Sequence, residues 1–225
     1  MQVSRHLALY GAHVYMLNRK EEQGDDAIEK IKAEAKEQGK DAKIEWVGPF
    51  DLGTLSQTKK LLDELIPKLD RLDYLILSAG INSNQYGQTN DGLDRHFEVN
   101  ALGHYYTINQ LYPLLRKTSK LPGTKKGSVR IVFESSEMHR FAPPSQDSAE
   151  RGRGVHFGSE EEITEGAKEY GPVELYGRTK LAMILYTKSL LNKVITKNGD
   201  DIYVSSVHPG TVSSPAPLPP LRSPR

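Results

Sequence analysis

The sequence predicts a doubly wound parallel α/β sheet, and two observations lead there. Short apolar segments alternate with longer ones whose apolar residues recur at helical spacing, the arrangement of successive βαβ units. The short segments are apolar nearly throughout, as strands covered by helices on both faces require. At 225 residues the chain has the length of one such domain with a sizeable core.

Taken in order, Met1 to Tyr10 read as the later turns of a helix that Gly11 ends. Ala12-His-Val-Tyr-Met-Leu17 predicts a buried strand. Glu21 to Glu37 is a charged helix with Ala27, Ile28, Ile31 and Ala35 as its apolar stripe. Lys43 to Val47 is a short strand ending in Pro49-Phe-Asp-Leu52, and Thr54 to Leu69 is the next helix. Leu72 to Leu77 is a strand that runs straight into Ser78-Ala-Gly80. A long helix covers Leu93 to Arg116, and the strand Ser128 to Phe133 leads to Ser135-Ser136. A helix through Tyr176 to about Lys197 and a last strand, Asp201 to Val207, complete the alternation.

Two stretches break the rhythm. Glu137 to Gly171 is a long polar connection, and such loops at the carboxyl ends of strands shape binding sites. Ser159-Glu-Glu-Glu162 within it has the pattern of a capping box opening a short helix. Val212 to Arg225 carries five of the 13 prolines and forms no packed element, so residues 1–211 are read as the domain and 212–225 as a disordered tail. Pro217-Leu-Pro-Pro-Leu-Arg222 fits Pro-x-x-Pro-x-Arg, the form of an SH3 ligand in polyproline II.

Composition narrows the function. Thirty basic and 29 acidic residues give a formal charge of +1, which offers no electrostatic case for nucleic acid. There are no cysteines, hence no disulfide framework, thiol catalysis or thiolate metal site, and a cytoplasmic location is the expectation. No run approaches the roughly 18 apolar residues of a spanning helix. His6 to Leu17 lacks a cleavage site before Asn18-Arg-Lys-Glu-Glu22, which rules out a signal peptide reading.

Tyr176 and Lys180 carry the chemistry. Four residues apart in a helical segment, they share a face. A free phenol titrates near roughly 10, too high for proton transfer at neutral pH, and an ammonium beside it is expected to lower that value. Such a pair can serve as general acid or base. By itself the spacing occurs in many ordinary helices.

Further residues in fixed order make the chain similar to the short-chain dehydrogenase/reductases, nearest their retinol-dehydrogenase-like group. Asp51-Leu52, Ser78-Ala-Gly80, Val99-Asn100, Ser136, Tyr176 with Lys180, and His208-Pro-Gly210 follow one another as in that family. The resemblance covers about residues 1–214 and implies a Rossmann-like fold and hydride transfer between a nicotinamide cofactor and a carbonyl or alcohol. The catalytic residues it implies are Asn100, anchoring a relay water, Ser136, binding the substrate oxygen, and Tyr176 with Lys180. Ser135 is the alternative serine. The cofactor would meet Arg19, Asp51, Leu52, Ser78, Ala79, Gly80, Tyr176, Lys180, Pro209, Gly210 and Val212. Asp51 could equally cap the helix after it. Arg19 suits a 2′-phosphate, where an acidic residue would bind a ribose hydroxyl, so NADP is expected rather than NAD. The substrate would be a small carbonyl or alcohol, lipophilic ones included, and self-association is left open.

The chain also departs from the family. Ser78 replaces an asparagine that helps lock the central strands. Nothing reads Gly-x-x-x-Gly-x-Gly, the loop that cradles the pyrophosphate at a helix N-terminus. The resemblance places that loop and the first strand before Met1, and a further strand beyond Ser214. The expectation is therefore a truncated chain with open strand edges beside Ala12–Leu17 and Leu72–Leu77. Two other functions fit: a dinucleotide-fold fragment without turnover, and an interaction module using the Pro-rich tail.

Overall fold

The computed structural model describes residues 2–143, 157, 159–164 and 166–210. Five parallel strands alternate with helices. α1 (Gln2–Leu9), β1 (Val14–Leu17), α2 (Glu21–Glu37) and β2 (Ile44–Val47) form the first part. α3 (Leu55–Leu65), β3 (Tyr74–Leu77), α4 (Arg95–Phe97), a π turn (Glu98–Leu102) and α5 (Gly103–Ser119) follow. β4 (Val129–Glu134) leads into a 3-10 turn (Glu137–Phe141). α6 (Glu160–Thr164), α7 (Pro172–Leu190), a second π turn (Leu191–Ile195), α8 (Thr196–Asn198) and β5 (Ile202–Val207) end the described chain.

The strands form two sheets, β1–β2 and β3–β4–β5, all pairs parallel. Among the described residues no strand joins β1 to β3, so each keeps one edge without ladder hydrogen bonds. This explains one difference from the sequence reading: β1, expected to be buried, is only half-buried along its whole length. A strand with a neighbour on one side only is screened on one side only. β3–β5 pack with α5 and α7 through Leu77, Ile108, Leu115, Ile131, Phe133 and Met183. Ala8, Ile31, Ala35 and Ile44 fill the space under β1 and β2. Phe50, Leu52, Leu62 and Leu111 take in Leu17 and Leu75, so one apolar cluster touches both sheets.

The helix through Asn100 also differs from the single helix expected. Asp94 caps its start by accepting from the His96 and Phe97 amides at 3.3 and 3.1 Å. The backbone then widens, the Gly103 amide bonding the Glu98 carbonyl five residues back. Ser159 opens α6 as its capping pattern predicts, its hydroxyl accepting from the Glu162 amide at 3.1 Å. Among the described residues no helix is long and apolar enough to cross a membrane.

Candidate active site

Leu77 lies opposite Phe133, and Glu134 opposite Val207, so the carboxyl ends of β3, β4 and β5 stand side by side. The turns that follow them gather along one edge of the sheet, the place where open α/β sheets bind ligands. α7 packs against the turn after β4.

Gly177 lets the helix come this close. A Cβ there would stand 2.6 Å from the Met138 carbonyl oxygen, and 3.0 Å from both the Ala142 nitrogen and the Phe141 carbonyl carbon. Backbone meets backbone, which only a glycine allows. The turn that carries Ser136 is thereby pressed onto the helical turn that carries Tyr176.

The adjacent serines separate into two functions. Ser135 is buried, and its hydroxyl donates to the Lys180 carbonyl at 2.9 Å. Ser136 is half-buried, and its Oγ accepts from the Met138 amide at 3.2 Å. That bond uses a lone pair and leaves the hydroxyl proton to be donated elsewhere.

Tyr176 and Lys180 share a face of α7, with Nζ 5.2 Å from the phenol ring centre. Lys180 is buried and donates to the Glu134 carbonyl at 2.8 Å. The expectation that the ammonium lowers the phenol is not met here. Burial, and after it the charge of Glu134, pushes Tyr176 above the ordinary tyrosine value. Burial pulls Lys180 down against the opposing charge of Glu134. The physical reason is common to both: a low-dielectric site penalises the charged form, phenolate and ammonium alike.

Asn100 joins the turn after β3 to this helix. Its Nδ2 donates to the Ile81 carbonyl at 2.9 Å and to Thr179 Oγ1 at 3.2 Å. Its Oδ1 accepts from the Ile81 amide at 2.7 Å, while the Thr179 hydroxyl donates to the Tyr176 carbonyl at 2.7 Å. With both amide hydrogens engaged, a relay water at Asn100 can be held only by an oxygen.

His104, which sequence reasoning passed over, lies one turn further on. Its Nε2 donates to the Ala79 carbonyl at 2.8 Å, which makes Nδ1 the acceptor nitrogen. Burial lowers it to about 4 despite that bond, so the ring is neutral. A Cβ on Gly80 would stand 3.1 Å from Asn100 Oδ1. His104 at Ala79 and Asn100 at Ile81 thus hold the turn in which Ser78 stands in place of an asparagine. Their spacing of four in one helix was the available signal.

The other expected cofactor residues lie at the ends of the remaining strands. Arg19, its side chain 65% exposed, places Nη1 4.0 Å from Asp51 Oδ2. Asp51 Oδ1 accepts from the Gly53 amide at 3.0 Å, and Thr54, not Asp51, occupies the cap position of α3. Leu52 is buried, and its carbonyl would lie 2.7 Å from a Cβ on Gly103. Ser78, Ala79 and Gly80 are exposed, as are Pro209 and Gly210 beyond β5. Val212 and the Pro217–Arg222 motif lie outside the described residues. The guanidinium thus lies beyond β1, and the phenol and ammonium lie on α7 beside the end of β4.

Parallel strands, flanking helices and a Tyr–Lys helix at the carboxyl edge define an α/β dinucleotide-binding fold. The chain belongs to the short-chain dehydrogenase family, whose model matches residues 1–148. It is 36% identical to a short-chain dehydrogenase/reductase of Armillaria gallica over 93% of its own length and 60% of that protein's. It is 30% identical to human retinol dehydrogenase 14 over 90% of its length and 55% of the relative's. A crystal structure of an uncharacterized protein from Mycobacterium paratuberculosis superposes with a TM-score of 0.67 at 26% identity, covering 92% of this chain and 63% of that one. The chain therefore spans a little over half the length of these curated relatives.

Two outcomes test the geometry. Gly177→Ala forces the Ser136 turn away from α7 and is expected to lower stability by about 1–3 kcal/mol, as overpacking does, read as a denaturation midpoint. A midpoint equal to that of the parent would show that the contact is loose. In an ultraviolet absorbance titration, the phenolate signal lost on Tyr176→Phe should appear above the ordinary tyrosine range. Its appearance below that range would show that Lys180, not burial, governs the phenol.

Proposed function

We propose that the chain is an NADP-dependent oxidoreductase that moves hydride between the nicotinamide and a carbonyl or alcohol carbon. The observation that supports it most is the convergence of Ser136, Tyr176 and Lys180, from two segments 40 residues apart, at the carboxyl edge of a parallel sheet. When bound, the cofactor supplies or accepts the hydride.

The chain's own residues do the rest. Ser136 directs its uncommitted hydroxyl proton to the substrate oxygen and stabilises the alkoxide that develops there. Tyr176, protonated at neutral pH like an ordinary tyrosine and raised further by burial, hands its proton to that oxygen. Lys180 has two ammonium hydrogens beyond the one given to Glu134, and these serve the ribose hydroxyls. Asn100 and His104 hold the Ser78–Gly80 turn in place.

Arg19 supports NADP over NAD. It is exposed at the end of β1 and loosely paired with Asp51, so its guanidinium can turn to a 2′-phosphate. A lipophilic substrate is supported by the retinol dehydrogenase among the relatives. A second reading is a dinucleotide-fold chain that binds the cofactor without turning over; among the described residues β1 and β3 each keep an unpaired edge.

The assay is NADPH oxidation against a panel of aldehydes and ketones. Tyr176→Phe should abolish turnover while leaving NADPH affinity nearly intact, whereas Lys180→Ala should weaken both. A Tyr176→Phe rate within about twofold of the parent would contradict the assignment. Binding of NADPH without turnover by the parent would select the second reading. kcat/KM for reduction should be flat across neutral pH and fall only in the alkaline range, because the protonated phenol is the competent form. Arg19→Asp should swing the ratio of NADPH to NADH affinity towards NADH, and an unchanged ratio would show that Arg19 only meets solvent.

A further inference from the structure

Arg178 lies between Tyr176 and Lys180, two residues on from the phenol, so it leaves the opposite side of α7. A solvated charge would be the ordinary finding there. Instead its side chain is 1% exposed, and its partner Asp94 is fully buried. Nη2 donates to Asp94 Oδ2 at 3.1 Å and to the Ile163 carbonyl at 3.1 Å. Nη1 donates to the Glu162 carbonyl at 3.3 Å. The guanidinium lies 5.5 Å from the ring centre of Phe97 and 5.8 Å from that of Tyr170. One planar group thus touches α7, the start of the rod that carries Asn100, and the last carbonyls of α6.

We propose that Arg178 is a positioning residue that pins α6 to the catalytic helix and so fixes one wall of the cavity between α6 and the rod that carries Asn100. This rests on the reading of Tyr176 and Lys180 as the proton-transfer pair. A cavity of about 410 Å³, lined among others by Leu93, Phe97, Leu102, Phe157 and Ile163, lies between α6 and the Asn100 rod. Among the described residues, the polar bonds to α6 include the two from Arg178 and the Tyr86 hydroxyl donating to the Thr164 carbonyl at 3.0 Å. Asp94 completes the device, because the carboxylate that takes the guanidinium also caps the rod leading to Asn100. A lysine at 178 would keep the charge but lack the fork that spans a carboxylate and two carbonyls.

The test compares Arg178→Lys and Asp94→Asn with the parent by amide hydrogen exchange and steady-state kinetics. Exchange should quicken together in residues 94–100 and 160–164 while β4 stays protected. KM for a bulky carbonyl should rise about tenfold, more than any accompanying fall in kcat, the signature of a displaced binding wall. Unchanged exchange in 160–164, a loss of protection spread evenly through β4, or a fall in kcat at constant KM would overturn the proposal. If Asp94→Asn does not fold, Arg178→Lys carries the comparison alone. If the parent does not turn over, the catalytic reading fails, and the exchange result still decides whether the pin exists.

Discussion

The site depends on the contact between the bare backbone of Gly177 and the Glu137–Phe141 turn. Only with the helix at that distance can the Ser135 hydroxyl reach the Lys180 carbonyl and Lys180 Nζ reach the carbonyl of Glu134. Those two bonds run in opposite directions between the end of β4 and α7, and they fix the height of the helix over the sheet. Ser136, next along the chain from Ser135, is half-buried and opens the turn that α7 meets at Gly177. A side chain at 177 would separate the strand end from the helix and disperse the residues that share the edge.

Close approach has an electrostatic consequence. Burial that brings the groups together also disfavours their charged forms, raising the phenol and lowering the ammonium. Beside the charge of Glu134, the pair meets neutral, oriented groups: the Glu134 carbonyl takes a bond from Lys180, the Thr179 hydroxyl bonds the Tyr176 carbonyl and the Asn100 amide, and His104 is neutral. Such dipoles are already aligned before any reaction, which is the condition under which they stabilise developing charge most effectively. On the far side of α7, Arg178 and Asp94 form a fully buried ion pair.

Much of this was legible in the sequence because it is periodic or local. The strand–helix alternation set the architecture, and the Ser159 capping pattern located α6. The Tyr176–Lys180 spacing, with Ser136 and Asn100 in their expected order, led to residues that the fold brings to one edge. What escaped depends on the approach of segments far apart in the chain. Gly177 is ordinary until the Met138 carbonyl lies beneath it, and Arg178 looks solvated until Asp94, 84 residues away, is seen beside it. The direction of the Tyr176 shift was misread for the same reason, since spacing reveals a neighbour but not a dielectric. The half-burial of β1 likewise follows from which strand lies next to it, a matter of topology.

The central claim is that this edge carries out hydride chemistry on a carbonyl. It is tested most directly by supplying NADPH deuterated at C4 of the nicotinamide, in each of its two stereochemical forms, with the aldehyde and ketone panel, and locating the label in the alcohol product by NMR. The account predicts deuterium on the carbinol carbon from one of the two forms, with the hydroxyl proton coming from solvent. Alcohol formed without label from either form, or bound NADPH that never transfers it to any carbonyl, would contradict the account.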